Sequence, residues 1–234
     1  MPLKTSINYS PNFNQKKRSK KEIKFIIIHY TGMKSEKAAI DRLTNIQSQV
    51  SSHYFISKNG NITLLVPELY IAWHAGKSKW KDKSFLNKNS IGIEITNPGH
   101  RFEYKNFTNK QINSIVILIK YLLNKYKISK KNVLGHSDIA PDRKKDPGEK
   151  FPWEYLAKKK LSIWHNIRQQ ELKNLRKKKC SKMEKYKFSK NLIKIGYLGK
   201  NLGKITKAFQ RRFRPQIVDG QIDQECFKIS KKLI

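Results

Sequence analysis

A chain of 234 residues has room for one well-buried domain and a small second one, and 38% hydrophobic with 11% aromatic residues is enough for a core. Only two cysteines, Cys180 and Cys226, lie far apart without Cys-x-x-Cys spacing, which argues against a disulfide framework or a thiolate metal site. The 51 Lys and Arg against 17 Asp and Glu give +34, a balance that suits nucleic acid, anionic glycopolymers or lipid head groups. A Lys-, Ile- and Asn-rich composition is also what an AT-rich coding sequence produces, so the charge alone selects no partner.

Residues 1–21 are polar and basic, with the cluster Lys17-Arg18-Ser19-Lys20-Lys21, and are expected to form a flexible basic arm. Met1 to Lys24 contains no apolar run of export-signal length, and no later stretch is long enough to span a membrane. Phe25-Ile26-Ile27-Ile28 is an unbroken apolar run, the pattern of a strand covered on both faces, and it leads to His29 and Tyr30. Ser35 can cap a helix with apolar positions Ala39, Ile40, Leu43 and Ile46. Asn59-Gly60 between Tyr54–Ser57 and Ile62–Val66 is the strongest short hairpin signal.

Trp73-His74-Ala75-Gly76 and Trp80 fall in a loop-rich stretch whose aromatic and small residues suit a groove wall. Ile91-Gly92-Ile93-Glu94-Ile95 alternates, so three isoleucines face one way and Glu94 the other. Thr108 and Gln111 form a capping box for a helix through Ile112, Ile115, Val116, Ile119, Leu122 and Leu123. Phe151-Pro152-Trp153 opens a third helix whose stripe continues to Leu156, Ala157, Leu161, Trp164 and Ile167. Residues 169–190 are Lys-rich and read as a solvated helix end passing into a linker. The whole predicts an α/β fold with a mixed central sheet flanked by helices over residues 22–168, plus a small all-α unit over 191–234.

Chemistry is expected in Val133–Gly148, where a short apolar run delivers His136 into a loop that carries Lys144 and Asp146. Hydrolytic zinc takes three His and Asp/Glu ligands and leaves one position open, so a further ligand must come from elsewhere; His29, at its strand end, is the candidate. Taken singly, His29 is equally a buried structural histidine and Asp146 a turn residue before Pro147-Gly148. Asp138 is a rival ligand by its closeness to His136.

His29 after its strand, Ser90-Ile91-Gly92-Ile93-Glu94, His136-Ser137-Asp138-Ile139-Ala140-Pro141 and Lys144-Lys145-Asp146-Pro147-Gly148 together resemble the zinc-dependent N-acetylmuramoyl-L-alanine amidases. This is the type-2 amidase family, related to peptidoglycan recognition proteins, and the similarity runs from about His29 to about Trp153. One departure is Asp142, where the family pattern Ala-Pro-Gly-Arg-Lys has glycine. The resemblance implies Zn2+ on His29, His136 and Asp146, with Asp138 bonding its own loop instead. It implies hydrolysis of the amide between N-acetylmuramic acid, or its 1,6-anhydro form, and L-alanine of the stem peptide. Glu94 is the candidate proton carrier and Lys144 the candidate partner of the tetrahedral oxyanion. His53, Trp73, His74 and Arg143 are candidate substrate-binding residues, with a core role as the commoner fate for the two histidines.

Gly196-Tyr197, Ala208-Phe209-Gln210-x-x-Phe213 and Asp219-Gly220-x-x-Asp223 resemble the small helical peptidoglycan-binding module found beside wall hydrolases. Peptidoglycan or muropeptides are then the expected partners. A wall-binding module points to the envelope or periplasm, while the absence of a visible export signal points to the cytoplasm. Two other classes compete: a recognition protein that binds muropeptide without cleaving it, and a basic nucleic-acid binder. The first loses ground because all three ligands are present, the second because no aromatic-basic RNA signature or DNA-reading helix is visible.

Overall fold

The computed structural model describes residues 3–234. In chain order the first half comprises β1 (Ser6–Ile7), β2 (Phe13–Asn14), β3 (Phe25–Tyr30), α1 (Glu36–Thr44), β4 (Tyr54–Ile56), β5 (Ile62–Leu64), β6 (Ile71–Ala72), β7 (Lys79–Trp80), β8 (Lys83–Ser84) and β9 (Ser90–Ile95). There follow α2 (Asn109–Tyr126), β10 (Val133–Gly135), the helical turn α3 (His136–Ile139), α4 (Trp153–Lys158), α5 (Gln169–Leu175), α6 (Lys182–Ile195), α7 (Leu202–Phe213) and α8 (Gln224–Lys232). Six strands form one mixed sheet in the order β1-β5-β4-β9-β3-β10. β4, β9, β3 and β10 run parallel, while β5 returns antiparallel to β4 through the expected hairpin.

The local signals act as their chemistry requires. Ser35 Oγ accepts the Ala38 N–H at 3.1 Å and starts α1, and Thr108 and Gln111 close a reciprocal capping box at the head of α2. Gly60 sits at φ +82°, and a Cβ there would come within 2.7 Å of the Lys110 carbonyl oxygen, so the hairpin turn has to be glycine to pack on α2.

Strand alternation then divides the core. Ile26, Ile28, Ile91, Ile93, Ile95 and Val133 face Ile115, Leu118, Ile119 and Leu122 of α2 and Trp153 and Leu156 of α4. Phe25, Ile27 and Leu134, one residue out of phase, face Phe188 and Leu192 of α6 and Phe209 and Phe213 of α7. Further along the same face, Phe55 and Leu65 pack under Ala39 and Leu43 of α1. Each such side chain contributes about 1.5–3 kcal/mol when fully buried, so both sheet faces carry comparable weight.

Four expectations need correction. Residues 3–21 are not a flexible arm: β1 pairs with β5, Ser10 and Asn12 are buried, and Arg18 is sunk against the Glu68, Asn87 and Lys88 carbonyls. Ile46 lies beyond the end of α1 and is exposed. The third helix stops at Lys158, because Lys160 takes φ +62°, and Leu161 and Trp164 pack from irregular chain. Residues 169–190 are no linker: α5 and most of α6 lie there, with Leu172 and Phe188 in the core. The helices from α5 to α8 therefore share one apolar core with β3 and β10 instead of standing apart as a separable unit.

Phe209 is fully buried between this sheet face and Phe188 and Tyr197. Phe209→Ala should cost about 3–5 kcal/mol, and the loss should appear as one lowered unfolding transition followed by both calorimetry and near-UV dichroism. A separate early transition for the C-terminal helices, with the main transition unmoved, would show two independent cores.

Candidate metal centre and substrate groove

The register of the three central strands sets the site. Ile28 stands opposite Gly135 on one side and Ile93 on the other, so His29 pairs with Glu94 and His136 follows one residue beyond the last pair of β10. His29 shares the face of Phe25 and Ile27, and Glu94 lies beside it. The loop after α3 then brings Asp146 back, with the Ser137 N–H donating to the Asp146 carbonyl at 2.8 Å.

Nδ1 of His29, Nδ1 of His136 and Oδ2 of Asp146 meet in a triangle with sides of 2.9, 3.1 and 3.0 Å, and all three residues are buried. The hydrogen bonds behind them decide what these atoms carry. Leu86 O can only accept, so Ser90 Oγ–H donates to it at 2.6 Å; His74 Nε2–H then donates to Ser90 Oγ at 3.2 Å, and His29 Nε2–H to His74 Nδ1 at 3.1 Å. His136 Nε2 stands 3.2 Å from the Ala75 carbonyl and 3.3 Å from Arg143 Nη2; with the Arg143 Nη2 protons directed at the Ala75 and Lys77 carbonyls, the Nε2 proton points to Ala75. Both Nδ1 atoms are therefore bare lone pairs aimed at a carboxylate oxygen. Three acceptors at this spacing repel one another unless a cation lies between them, and two imidazoles with one carboxylate are a donor set for a divalent ion with one position left open.

Electrostatics agree with that reading. Burial, and then the neighbouring His136, push the His29 imidazole down to about 4, so it is neutral at pH 7 and free to ligate. Burial alone would raise Asp146, but the two imidazoles at its Oδ2 more than reverse this and hold its carboxyl below the usual range, so that it too is a charged donor. Burial, and then the charge of Asp146, push Glu94 well above the carboxylate range, with Lys144 partly countering. Glu94 Oε2 is closed off from solvent and has no hydrogen-bond partner among the described residues.

Gly92 owes its identity to the same arrangement. It lies one turn of the pleat before Glu94 on the same face, and a Cβ there would stand 2.4 Å from His74 Cγ. The histidine ring occupies the space a side chain would take.

A groove opens over this centre between α1 and the loop from Arg143 to Asp146, and His29, Glu94, His136, Lys144 and Asp146 all line it. Of the candidate substrate-binding residues, Trp73, His74 and Arg143 line it as well. His74 is committed to His29, and Arg143 is largely committed to the Ala75 and Lys77 carbonyls. His53 corrects the expectation: it is fully buried behind the groove, where Nδ1 accepts the Gly92 N–H and Nε2 meets the Tyr70 carbonyl. Asp138 is likewise no part of the metal triangle, since its Oδ2 accepts the Gly135 N–H at 2.8 Å. Sequence reasoning missed Tyr30, Arg42, His100 and Arg101 in the groove wall, because nothing in their local pattern separates them from solvent-facing residues.

Residues 19–149 match the family model described as N-acetylmuramoyl-L-alanine amidase. Over 230 residues the chain is 33% identical to the N-acetylmuramoyl-L-alanine amidase AmiD of Escherichia coli (strain K12), which covers 91% of this chain and 82% of AmiD. It is 32% identical over 167 residues to the 1,6-anhydro-N-acetylmuramyl-L-alanine amidase AmpD of Haemophilus influenzae, covering 63% of this chain and 88% of that protein. Among solved structures, E. coli AmiD in complex with the substrate anhydro-N-acetylmuramic acid-L-Ala-D-gamma-Glu-L-Lys superposes with a TM-score of 0.80 at 33% identity, covering 94% of this chain and 91% of that one. AmpDh3 from Pseudomonas aeruginosa in complex with anhydromuramic pentapeptide also gives 0.80, at 29% identity and 95% coverage of each chain.

If His74 fixes the tautomer of His29, displacing it should weaken metal binding without touching a ligand. Gly92→Ala is expected to bind added Zn2+ about 10–100-fold more weakly than the parent after both are stripped of metal. Competition with a chromogenic chelator measures this, and unchanged affinity would show that His29 needs no such support.

Proposed function

The chain belongs to the N-acetylmuramoyl-L-alanine amidase family, hydrolases of the amide between N-acetylmuramic acid and L-alanine, and we propose that it works with Zn2+ on His29, His136 and Asp146. The observation that carries the metal assignment is the convergence of two bare imidazole nitrogens and a carboxylate oxygen at 2.9–3.1 Å. Zinc held there supplies a Lewis acid that polarises a carbonyl and makes water a nucleophile at neutral pH.

The protein's own groups divide the remaining work. Glu94 projects from β9 beside His29 with an unpartnered Oε2, so that oxygen takes the proton of the attacking water and returns it to the departing amide nitrogen. A carboxyl raised by burial suits the second half of that task, because it gives up its proton less readily to solvent than to a developing amine. The Lys144 ammonium, on the groove wall near the ligand loop, balances the negative charge that forms on the substrate carbonyl oxygen. The groove walls carry Arg42, Arg101, Arg143, Lys144 and Lys145 against only Glu94 and Asp146 as acids, a balance suited to the carboxylates of a stem peptide.

Muropeptides with a 1,6-anhydro sugar are the substrates inferred, since AmiD and AmpDh3 were solved with anhydromuramyl peptides in complexes that this chain matches along most of its length. Peptidoglycan chemistry places the work at the envelope or in the turnover of its fragments. The wall-binding part of the proposal rests on the resemblance of residues 191–234 to a wall-binding module; Tyr197, Phe209 and Phe213 of its motifs are buried in the core shared with the amidase sheet, which leaves the exposed faces of those helices for wall contact. No helix among the described residues is long and apolar enough to cross a membrane. The recognition-only reading is the weaker one, because a binder has no use for an unpartnered carboxylate oxygen beside two histidines and an aspartate that could hold a metal ion.

Glu94→Ala should keep one equivalent of zinc and bind anhydromuramyl-tripeptide normally, while kcat falls about 10²–10⁴-fold. Release of the L-alanine amine from that soluble substrate gives the rate. A loss confined to KM would make Glu94 a substrate contact instead.

A further inference from the structure

The loop from His136 to Asp146 supplies two of the three ligands, and the C-terminal helices grip it from below. Asp138 is 1% exposed and fully bonded: Oδ2 accepts from the Gly135 N–H at 2.8 Å and from Arg212 Nη1 at 2.6 Å, and Oδ1 accepts from the Tyr197 hydroxyl at 2.6 Å. Arg212 lies on α7, is 2% exposed, and reaches further: its Nη2 donates to the Val133 carbonyl at 2.9 Å, and its guanidinium covers the Trp153 ring at 4.5 Å from the centroid. One side chain thus holds the first residue of β10 by its carbonyl and the turn α3 by the carboxylate that caps it. His136 is the first residue of that turn. A metal ligand must sit within about 0.2 Å of its place to bind well, and ligand orientation is set by what lies behind it.

The grip is double. Asp142, later in the same loop, accepts the N–H groups of Lys200 at 2.9 Å and Asn201 at 3.3 Å, and its carbonyl accepts from Lys204 Nζ at 3.0 Å. The connection from α6 to α7 therefore holds the loop on both sides of Ala140.

We propose that Arg212 and Tyr197 are positioning residues for the metal ligand His136, so that the C-terminal helices are a working part of the metal centre besides any role on the wall. This rests on the reading of His136 as a ligand. A merely structural Arg212 would, when replaced, lower the stability of the protein and leave the affinity of its folded form for metal unchanged. A positioning Arg212 changes that affinity and the geometry of the bound ion.

The full-length protein, stripped of metal, tests this in four forms: parent, Arg212→Lys, Arg212→Met and Tyr197→Phe. Zinc affinity by chelator competition, the visible absorption of bound Co2+ and the melting temperature are read for each. Arg212→Met is expected to bind Zn2+ about 10–100-fold more weakly with an altered Co2+ band, Arg212→Lys to recover part of the loss, and Tyr197→Phe to show a smaller loss in the same direction. Folded Arg212→Met with parental zinc affinity and Co2+ spectrum would overturn the proposal. If Arg212→Met does not fold, parental affinity in both Tyr197→Phe and Arg212→Lys would overturn it equally. A parent protein that binds no zinc fails at the metal assignment itself, an outcome distinct from parent and variants binding alike.

Discussion

The parallel register of β10, β3 and β9 is the constraint on which everything else rests. Pairing Gly135 with Ile28 and Ile28 with Ile93 leaves His136, His29 and Glu94 at one level of the sheet edge, where strands end and side chains are free to meet. A slip of one residue in the pairing of β3 with β9 would turn Glu94 into the α2 core and an isoleucine towards His29. The isoleucines on the opposite face prevent that slip, since each would have to exchange an apolar shell for the groove. Packing on one face thereby fixes the chemistry on the other.

That second face is only half covered by apolar contacts, and the remainder is a set of buried polar groups whose hydrogen bonds run in one direction. The run from Leu86 through Ser90 and His74 to His29 starts at an atom that can only accept, so each donor is determined in turn and no proton is left for Nδ1 of His29. A buried imidazole left without partners would cost about 1–3 kcal/mol. Satisfying it from behind removes that cost and leaves a lone pair facing His136 and Asp146 at the same time.

How far the sequence could be read depends on whether a signal is local. Ser35, Thr108 with Gln111, and Asn59-Gly60 act on atoms a few residues away, and the structure follows them closely. The meeting of His29, His136 and Asp146 was legible because strand-end histidines and a loop aspartate occur in a fixed order, and Asp138 turns to its own loop's backbone at the Gly135 N–H. What failed was long-range. Arg18 looks like one more cation in a basic arm, and its burial is visible only once the Glu68, Asn87 and Lys88 carbonyls fold around it. The Lys-rich stretch 169–190 hides Leu172 and Phe188 among exposed lysines, so composition suggested a linker where spacing supports helices that bury one apolar stripe. His53 and His74 show the same limit, for they are alike in sequence, yet one braces the sheet and the other His29.

Asp142 joins the loop after α3 to the C-terminal helices. The family pattern has glycine there, which would matter if the backbone needed a positive φ, but Asp142 is not among the residues of the left-handed region. The turn tolerates a side chain, and the carboxylate is taken up by the N–H groups of Lys200 and Asn201 at the head of α7. A departure in the loop from His136 to Asp146 is thus matched by a contact from helices more than fifty residues away. The same helices bring Arg212 to Asp138, a buried pair whose disruption from one side costs about 3–5 kcal/mol. Loop and helices must therefore be specified together: C-terminal helices that kept the apolar core they share with β3 and β10 but lost the partners of Asp138 and Asp142 would leave the loop from His136 to Asp146 without its floor.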